Sequence, residues 1–297
     1  MLRALLMLLM LALLPTGALA EADTDDRGVP LPLEAPERVV CLYGSYAEAW
    51  LQAGGALVGV TDDAAKERGI ELAEDIRIIG TNKEPNLELI VALAPDLVIG
   101  SADIANQQPV FETLESMGIR CAAFRMDTYL DYARMMQIFS GWTGNFAVLE
   151  EIVLPMTAGI ERILADSAGQ NHPTVLLLRA FSTGAKAKGA DNLAGAMLKD
   201  LGCDNIADRY PSLLEELTLE SIVAEDPEHI FISIMGSDEQ AALAALDESL
   251  GQNLAWQALS AVQNGRVHVL PKELFHYKPN SRWEEAYSYL YDLLFQE

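Results

Sequence analysis

From Val39 onward, short apolar runs alternate with amphipathic stretches along the chain. Val39–Tyr43, Leu57–Thr61, Ile76–Ile79, Leu97–Gly100 and Cys121–Phe124 read as strands. Ala47–Ala53, Leu87–Leu93 and Val110–Met117 between them read as helices. Such alternation predicts βαβ units and a largely parallel sheet. Leu149, Ile152, Val153, Met156, Ile160, Ile163 and Leu164 then fall at three- and four-residue steps, the apolar face of one helix. Pro155 lies inside that stretch and should kink or split it. After the polar break Asp166–Pro173 the alternation resumes, with strands at Val175–Leu178, Ile230–Ser233 and Val267–Leu270. Helices are expected at Leu193–Leu201, Leu219–Ala224, Gln240–Leu246 and Trp283–Phe295. The predicted fold class is α/β: a lobe over 37–143, a single long interlobe helix over 144–168, and a second lobe over 169–297.

Two segments precede the first lobe. Arg3, the unbroken apolar run Ala4–Leu14, the break at Pro15-Thr16-Gly17 and the small residues Ala18-Leu19-Ala20 have the pattern of a secretory signal peptide cleaved after Ala20. The run is shorter than the roughly 20 apolar residues of a spanning helix. The expected localisation is therefore secreted or periplasmic. Residues 21–36 are acidic and carry Pro30, Pro32 and Pro36, which predicts an extended arm. No Cys stands at the cleavage site, so the usual lipoprotein anchor is missing. Cys41, Cys121 and Cys203 are too few and too odd for a disulfide framework, and whether Cys41 and Cys121 pair is open.

Composition narrows the class of partner. The 297 residues carry a net charge of −24, with 44 acidic against 20 basic side chains, and removing the leader takes Arg3 as well. A phosphate backbone is bound by clustered basic residues, so nucleic acid is excluded as a partner, and anionic lipid is disfavoured by the same repulsion.

An internal echo links the two lobes. Leu87-Glu88-Leu89-Ile90-Val91-Ala92 leads to Pro95 and a strand, and Leu219-Glu220-Ser221-Ile222-Val223-Ala224 leads to Pro227 and a strand, at a constant offset. Packing explains the apolar positions, and a helix dipole favours Glu in a first turn. The chain also resembles the substrate-binding proteins of ABC importers for iron–siderophore complexes, haem and cobalamin, in which a helix is the backbone between lobes. The residues that carry the likeness are Arg38-Val39-Val40-Cys41-Leu42 to Gly54-Gly55, Gly59-Val60, Gly80, Pro85-Asn86-Leu87-Glu88 to Pro95-Asp96-Leu97-Val98, Leu219-Glu220-Ser221-Ile222 to Pro227, and Gly265-Arg266-Val267. The resemblance implies two Rossmann-like lobes on a rigid helix, ligand held between them, and one acidic residue per lobe that docks on the permease. Glu88 and Glu220 match those docking positions. It further implies a permease with its ATPase as partners; a monomer is expected, and because a continuous helix bends less readily than the extended strands of a hinge, the lobes should close by only a small angle.

In open α/β sheets ligands bind beyond the carboxyl ends of the strands. That rule selects the loops holding Tyr43, Tyr46, Lys83, Arg125, Arg179, Lys186, Lys188, Tyr277, Arg282 and Trp283, with Phe181 and Lys278 beside them. Cations and aromatic faces gathered in a chain short of basic residues suit an anionic or aromatic-rich ligand. The expected ligand is a ferric siderophore, with haem or cobalamin as the alternative. The four His have no metal-ligand spacing, so a bare metal is not expected; His276-Tyr277 offers an axial donor if the ligand is haem. Gly-x-Ser-x-Gly, the phosphate-binding Gly-rich loop and His-Glu-x-x-His are all missing, so the chain reads as a binding protein without resident cofactor. The rival of a different class is an exported α/β hydrolase.

Overall fold

A computed structural model describes residues 23–210, 214, 218–236 and 238–296; the expected signal peptide lies outside them. The first sheet holds β1 (Val39–Cys41), β2 (Leu57–Val60), β3 (Arg77–Ile78), β4 (Leu97–Ser101) and β5 (Arg120–Phe124). Their order is β3-β2-β1-β4-β5, parallel throughout. Side chains alternate across the sheet. Val39, Cys41, Ile99 and Phe124 therefore feed one apolar cluster, and Val40, Leu42, Val98 and Phe111 another. Helices α1 (Gly44–Gln52), α2 (Leu87–Ala92), α3 (Gln108–Ser116) and α4 (Tyr129–Thr143) belong to this lobe.

Helix α4 is absent from the sequence expectations. Its start is marked by a capping box in which Thr128 accepts from the Asp131 N–H and Asp131 accepts from the Thr128 N–H. It ends at Gly144, whose φ of 74° only glycine adopts readily. The arm before β1 is clipped onto the lobe. Asp26 donates its N–H to Ala123 O, and the buried Asp25 carboxylate accepts from the N–H groups of Arg27, Val29 and Ala123 and from the Arg27 guanidinium. The arm thus covers the open edge of β5.

The bridging helix begins with a π-helical turn, Leu149–Val153, and continues as α5 (Leu154–Ser167). Pro155 is the second residue of α5. It has no N–H to give to the Glu151 carbonyl, and its ring crowds that oxygen. The wider π turn just before it accommodates both demands without interrupting the helix. Beyond α5 the second sheet comprises β6 (Thr174–Phe181), β7 (Gly184–Ala187), β8 (Asp204–Asn205), β9 (His229–Ile234) and β10 (Val267–Val269), in the order β10-β9-β6-β7 with β8 also on β6. All pairings are parallel except β6–β7, an antiparallel hairpin where a loop was expected. Helices α6 (Leu193–Asp200), α7 (Leu219–Glu225), α8 (Glu239–Leu246) and α9 (Trp283–Phe295) belong to this lobe.

The internal echo extends into the backbone. Ala94 and Asp226, at equivalent positions after α2 and α7, both take left-handed φ, 44° and 42°. The carboxylate after each following Pro then caps a neighbouring strand start: Asp96 accepts from the N–H groups of Glu37 and Arg38, and Glu228 from that of Thr174. Cys41 and Cys121 are both buried and unbridged.

Two features tie the lobes together. One apolar cluster includes Val39 and Phe124 of the first sheet, Met156 and Ile160 of α5, Val175 and Phe231 of the second sheet, and Trp283 and Leu290 of α9. The segment before α9 is also laced to the first lobe. Asn280 Nδ2 donates to Ser45 O at 2.8 Å, Arg68 Nη1 donates to Lys278 O at 3.1 Å, and Lys278 Nζ lies 2.9 Å from Asp127 Oδ1. A continuous core with polar lacing resists a wide hinge motion. Small-angle scattering curves with and without ligand are therefore expected to nearly overlap. A large drop in radius of gyration on binding would contradict this.

Candidate functional site

The strand order places the topological switch between β1 and β4, where successive crossovers leave in opposite directions and the loops part. Gln107 is fully buried there and joins three loops: its Nε2 donates to Leu42 O (2.8 Å) and Asn82 O (2.9 Å), and its Oε1 accepts from Ser101 N (2.8 Å). Gly100 leaves room for it, since a Cβ there would lie 2.5 Å from Gln107 Oε1. Asp63 adds a fourth loop by accepting from Gly44 N (2.7 Å) and the Asn82 amide (3.3 Å). The first-lobe wall of the cleft is thus rigid before any ligand arrives. Neither residue carries a motif; the sequence marked the loop Ser101–Gln107 but not the role of Gln107, and Asp63 was not singled out.

The cations expected in the second lobe lie on the β6–β7 hairpin. Arg179 pairs directly with Lys186, so the two cations share one face with Cβ atoms about 5 Å apart. Lys188 continues the ladder through its N–H to Leu177 O, two residues along on the same face. None of these three side chains makes a hydrogen bond or ion pair among the described residues. Like charges directly opposite each other destabilise a sheet, so the fold gains nothing from this arrangement. Burial lowers the pKa of Arg179, and the Asp191 charge works against that shift.

The loop after β10 closes the site. Burial, followed by the charges of Lys272, Arg179 and Lys83, pushes His276 down to about 4. Lys83 belongs to the first lobe and the other two cations to the second, so their fields converge on one imidazole from both sides of the cleft. Lys272, which was not singled out in the sequence, stands 5.9 Å from the Tyr277 ring centroid, and its ammonium donates to Gly236 O. Tyr43 lies at the start of α1, and its hydroxyl is pushed up to about 12 by burial and by Asp63. Tyr277 is raised by burial, Glu67 and Glu273.

Tyr43, Lys83, Arg179, Lys186, Lys188 and Tyr277 all keep part of their surface exposed, and other expected residues have different work. Tyr46 is fully buried, with its hydroxyl donating to Phe124 O at 2.8 Å, and Trp283 is 0% exposed in the core shared by the lobes. Apolar packing claims both rings: Tyr46 lies in the first turn of α1, against β1 and β2, and Trp283 begins α9, which packs along α5. Arg282 is exposed but held by Glu285 one turn along α9, at 2.7 Å. Arg125, at the end of β5, pairs with Asp103 at 3.1 Å. Glu88 and Glu220 are exposed in the first turns of α2 and α7, and neither carboxylate has a partner among the described residues. Among those residues no three His, Cys, Asp or Glu side chains gather to hold a metal ion.

The family model described as "Periplasmic binding protein" matches residues 39–274. The Fe(3+)-citrate-binding protein YfmC of Bacillus subtilis is 25% identical over 255 residues, 82% of this chain and 76% of that protein. Staphylococcus aureus IsdE complexed with heme superposes with a TM-score of 0.71 at 20% identity, over 87% of this chain and 98% of that one. The periplasmic vitamin B12 binding protein BtuF of Vibrio cholerae gives 0.69 at 20% identity, over 88% and 97%. At these identities the two structures speak to the fold, which has two lobes as here.

The His276 shift has a consequence for stability. The unfolded chain takes up this proton near the ordinary value of 6.5, whereas the folded chain resists it until about 4. Between those limits the unfolded state binds more protons, so stability falls as the pH drops from about 6.5 toward 4. The melting temperature is expected to decline through this window, and His276→Gln to remove part of the decline. An unchanged profile in the variant would overturn the assignment.

Proposed function

The chain belongs to the periplasmic binding protein family, and we propose that it captures an anionic metal chelate of the ferric-siderophore type between its lobes and delivers it to an ABC importer. The carrying observation is the unpaired cationic face of Arg179, Lys186 and Lys188, with Lys83 and Lys272 near it, in a protein of net charge −24. Charges withheld from so many carboxylates are available to a ligand, and charge-assisted hydrogen bonds are about twice as strong as neutral ones. The name of the Bacillus subtilis relative, a ferric citrate binder, points the same way.

Heme and vitamin B12 in the titles of the structural relatives keep those ligands as the alternative. The burial of Tyr46 and Trp283 argues against it, because it removes two of the aromatic walls a flat macrocycle would use. Glu88 and Glu220 serve docking on this reading: each is a solvated, unpaired carboxylate at the same place in a repeated unit, and matching basic pockets on a permease would complete them. Release of the ligand unchanged, rather than turnover, is the expected behaviour, and the working form is a monomer.

A thermal-shift panel of ferric siderophores, haemin and cobalamin tests the ligand class. A ferric siderophore is expected to bind, with Arg179→Ala or Lys186→Ala weakening Kd by about 10- to 100-fold, as loss of one charge-assisted bond implies. Arg282→Ala is expected to leave Kd nearly unchanged because Glu285 already holds that side chain. Tight binding of haemin or cobalamin alone would sink the proposal. Charge reversal at both Glu88 and Glu220 is expected to abolish uptake at constant Kd; lost ligand binding with retained docking would refute the docking role.

A further inference from the structure

The second lobe has a polar cavity of about 230 Å³ lined by Gln170, Asn171, Glu228, His229, Arg266 and the end of α9. It lies where β6, β9 and β10 begin, the pole opposite the strand ends that form the cleft. The cavity is independent of the ligand reading above. At about 30 Å³ per water in the liquid, it has room for seven or eight non-hydrogen atoms.

Its charges are unusual in not being joined. Arg266 and Glu228 line the same small space, yet the Arg266 guanidinium makes no hydrogen bond or ion pair among the described residues. Glu228 commits one oxygen: Oε1 accepts from Thr174 N at 3.1 Å. The His229 side is neutral. Its Nδ1 lies 3.2 Å from His268 Nε2, and burial, with His268 and Arg266 nearby, pushes its pKa down to about 4 despite the Glu228 carboxylate. The cavity therefore holds one positive and one negative group, and the primary amides of Gln170 and Asn171 supply both donors and acceptors.

A net anion would meet Glu228 and an acidic surface; a net cation would meet Arg266 in a partly desolvated space. A molecule carrying both charges satisfies both groups at once. We propose that this cavity binds a small zwitterion of amino-acid size, its carboxylate on Arg266 and its ammonium on Glu228, with the two amides completing the contacts. The site adds a second, smaller ligand to a protein whose main cleft faces the other way.

The test is a titration of the full mature chain with glycine and alanine, followed by calorimetry and by the ring NMR signals of His229 and His268. Acetate and ethylammonium serve as single-charge controls. Expected are saturable binding of the amino acids, shifts of both ring signals, and binding of neither control. Arg266→Gln and Glu228→Gln should each weaken amino-acid binding by at least about tenfold. Lys83→Ala, altered only in the main cleft, should leave it unchanged. If the amino acids fail to bind, if acetate binds as well as glycine, or if both cavity variants bind like the parent, the proposal is wrong. Melting curves of the variants confirm that they are folded, and because each removes only one charge, loss in one can be checked against the other.

Discussion

The apolar cluster that runs from the first sheet through α5 and α9 into the second sheet is the constraint on which the cleft depends. Each lobe alone could satisfy its sheet with its own helices. Instead Met156, Ile160, Trp283 and Leu290 belong to both, so neither lobe can move far without opening a shared core. Interiors packed at crystal-like density tolerate small rocking better than separation. The lacing of Asn280, Lys278 and Arg68 across the same junction fixes the angle at which the two walls meet. A bridging helix could have supplied the distance between lobes, but the common core supplies their orientation.

Within that frame, charge is distributed by purpose. Several carboxylates work locally: Asp25 secures the arm, Asp131 completes a capping box, and Asp96 and Glu228 hold the first N–H groups of neighbouring strands. Others take up cations, as Glu285 does with Arg282 and Asp103 with Arg125. The hairpin of Arg179 and Lys186 stands outside this economy, with like charges facing each other on adjacent strands and neither side chain in an ion pair or hydrogen bond among the described residues, although the Asp191 charge acts on Arg179. An arrangement that a sheet does not favour is a good indication of a surface shaped for something other than folding.

The strands and most helices were legible because both faces of a parallel sheet are covered, which makes its strands short apolar runs between amphipathic helices. The repeated unit around Glu88 and Glu220 was legible for the same reason, with its left-handed residue before Pro as an unexpected addition. Helix α4 was missed although Tyr132, Met135, Met136 and Phe139 have helical spacing, because neither that spacing nor the Thr128 box was weighed. The hairpin was missed because β7 is a short, half-polar strand that pairs only through its neighbour β6.

The sequence by itself determined which loops would line a cleft, since strand polarity and crossover order follow from periodicity along the chain. It also located the cations and aromatics in those loops. Only the tertiary structure decided which of them are buried and which stay exposed. Tyr46 and Trp283 are aromatic like Tyr43 and Tyr277, but the first pair is wholly buried in the core and the second keeps part of its surface exposed. Gln107 and Asp63 brace these loops mainly through partners distant in the chain, such as Gly44 for Asp63, 19 residues away, and Leu42 for Gln107, 65 residues away. Local patterning sets the element in which a residue lies. Which neighbour it meets is set by closure of the whole fold, where burial and long-range hydrogen bonding are decided together.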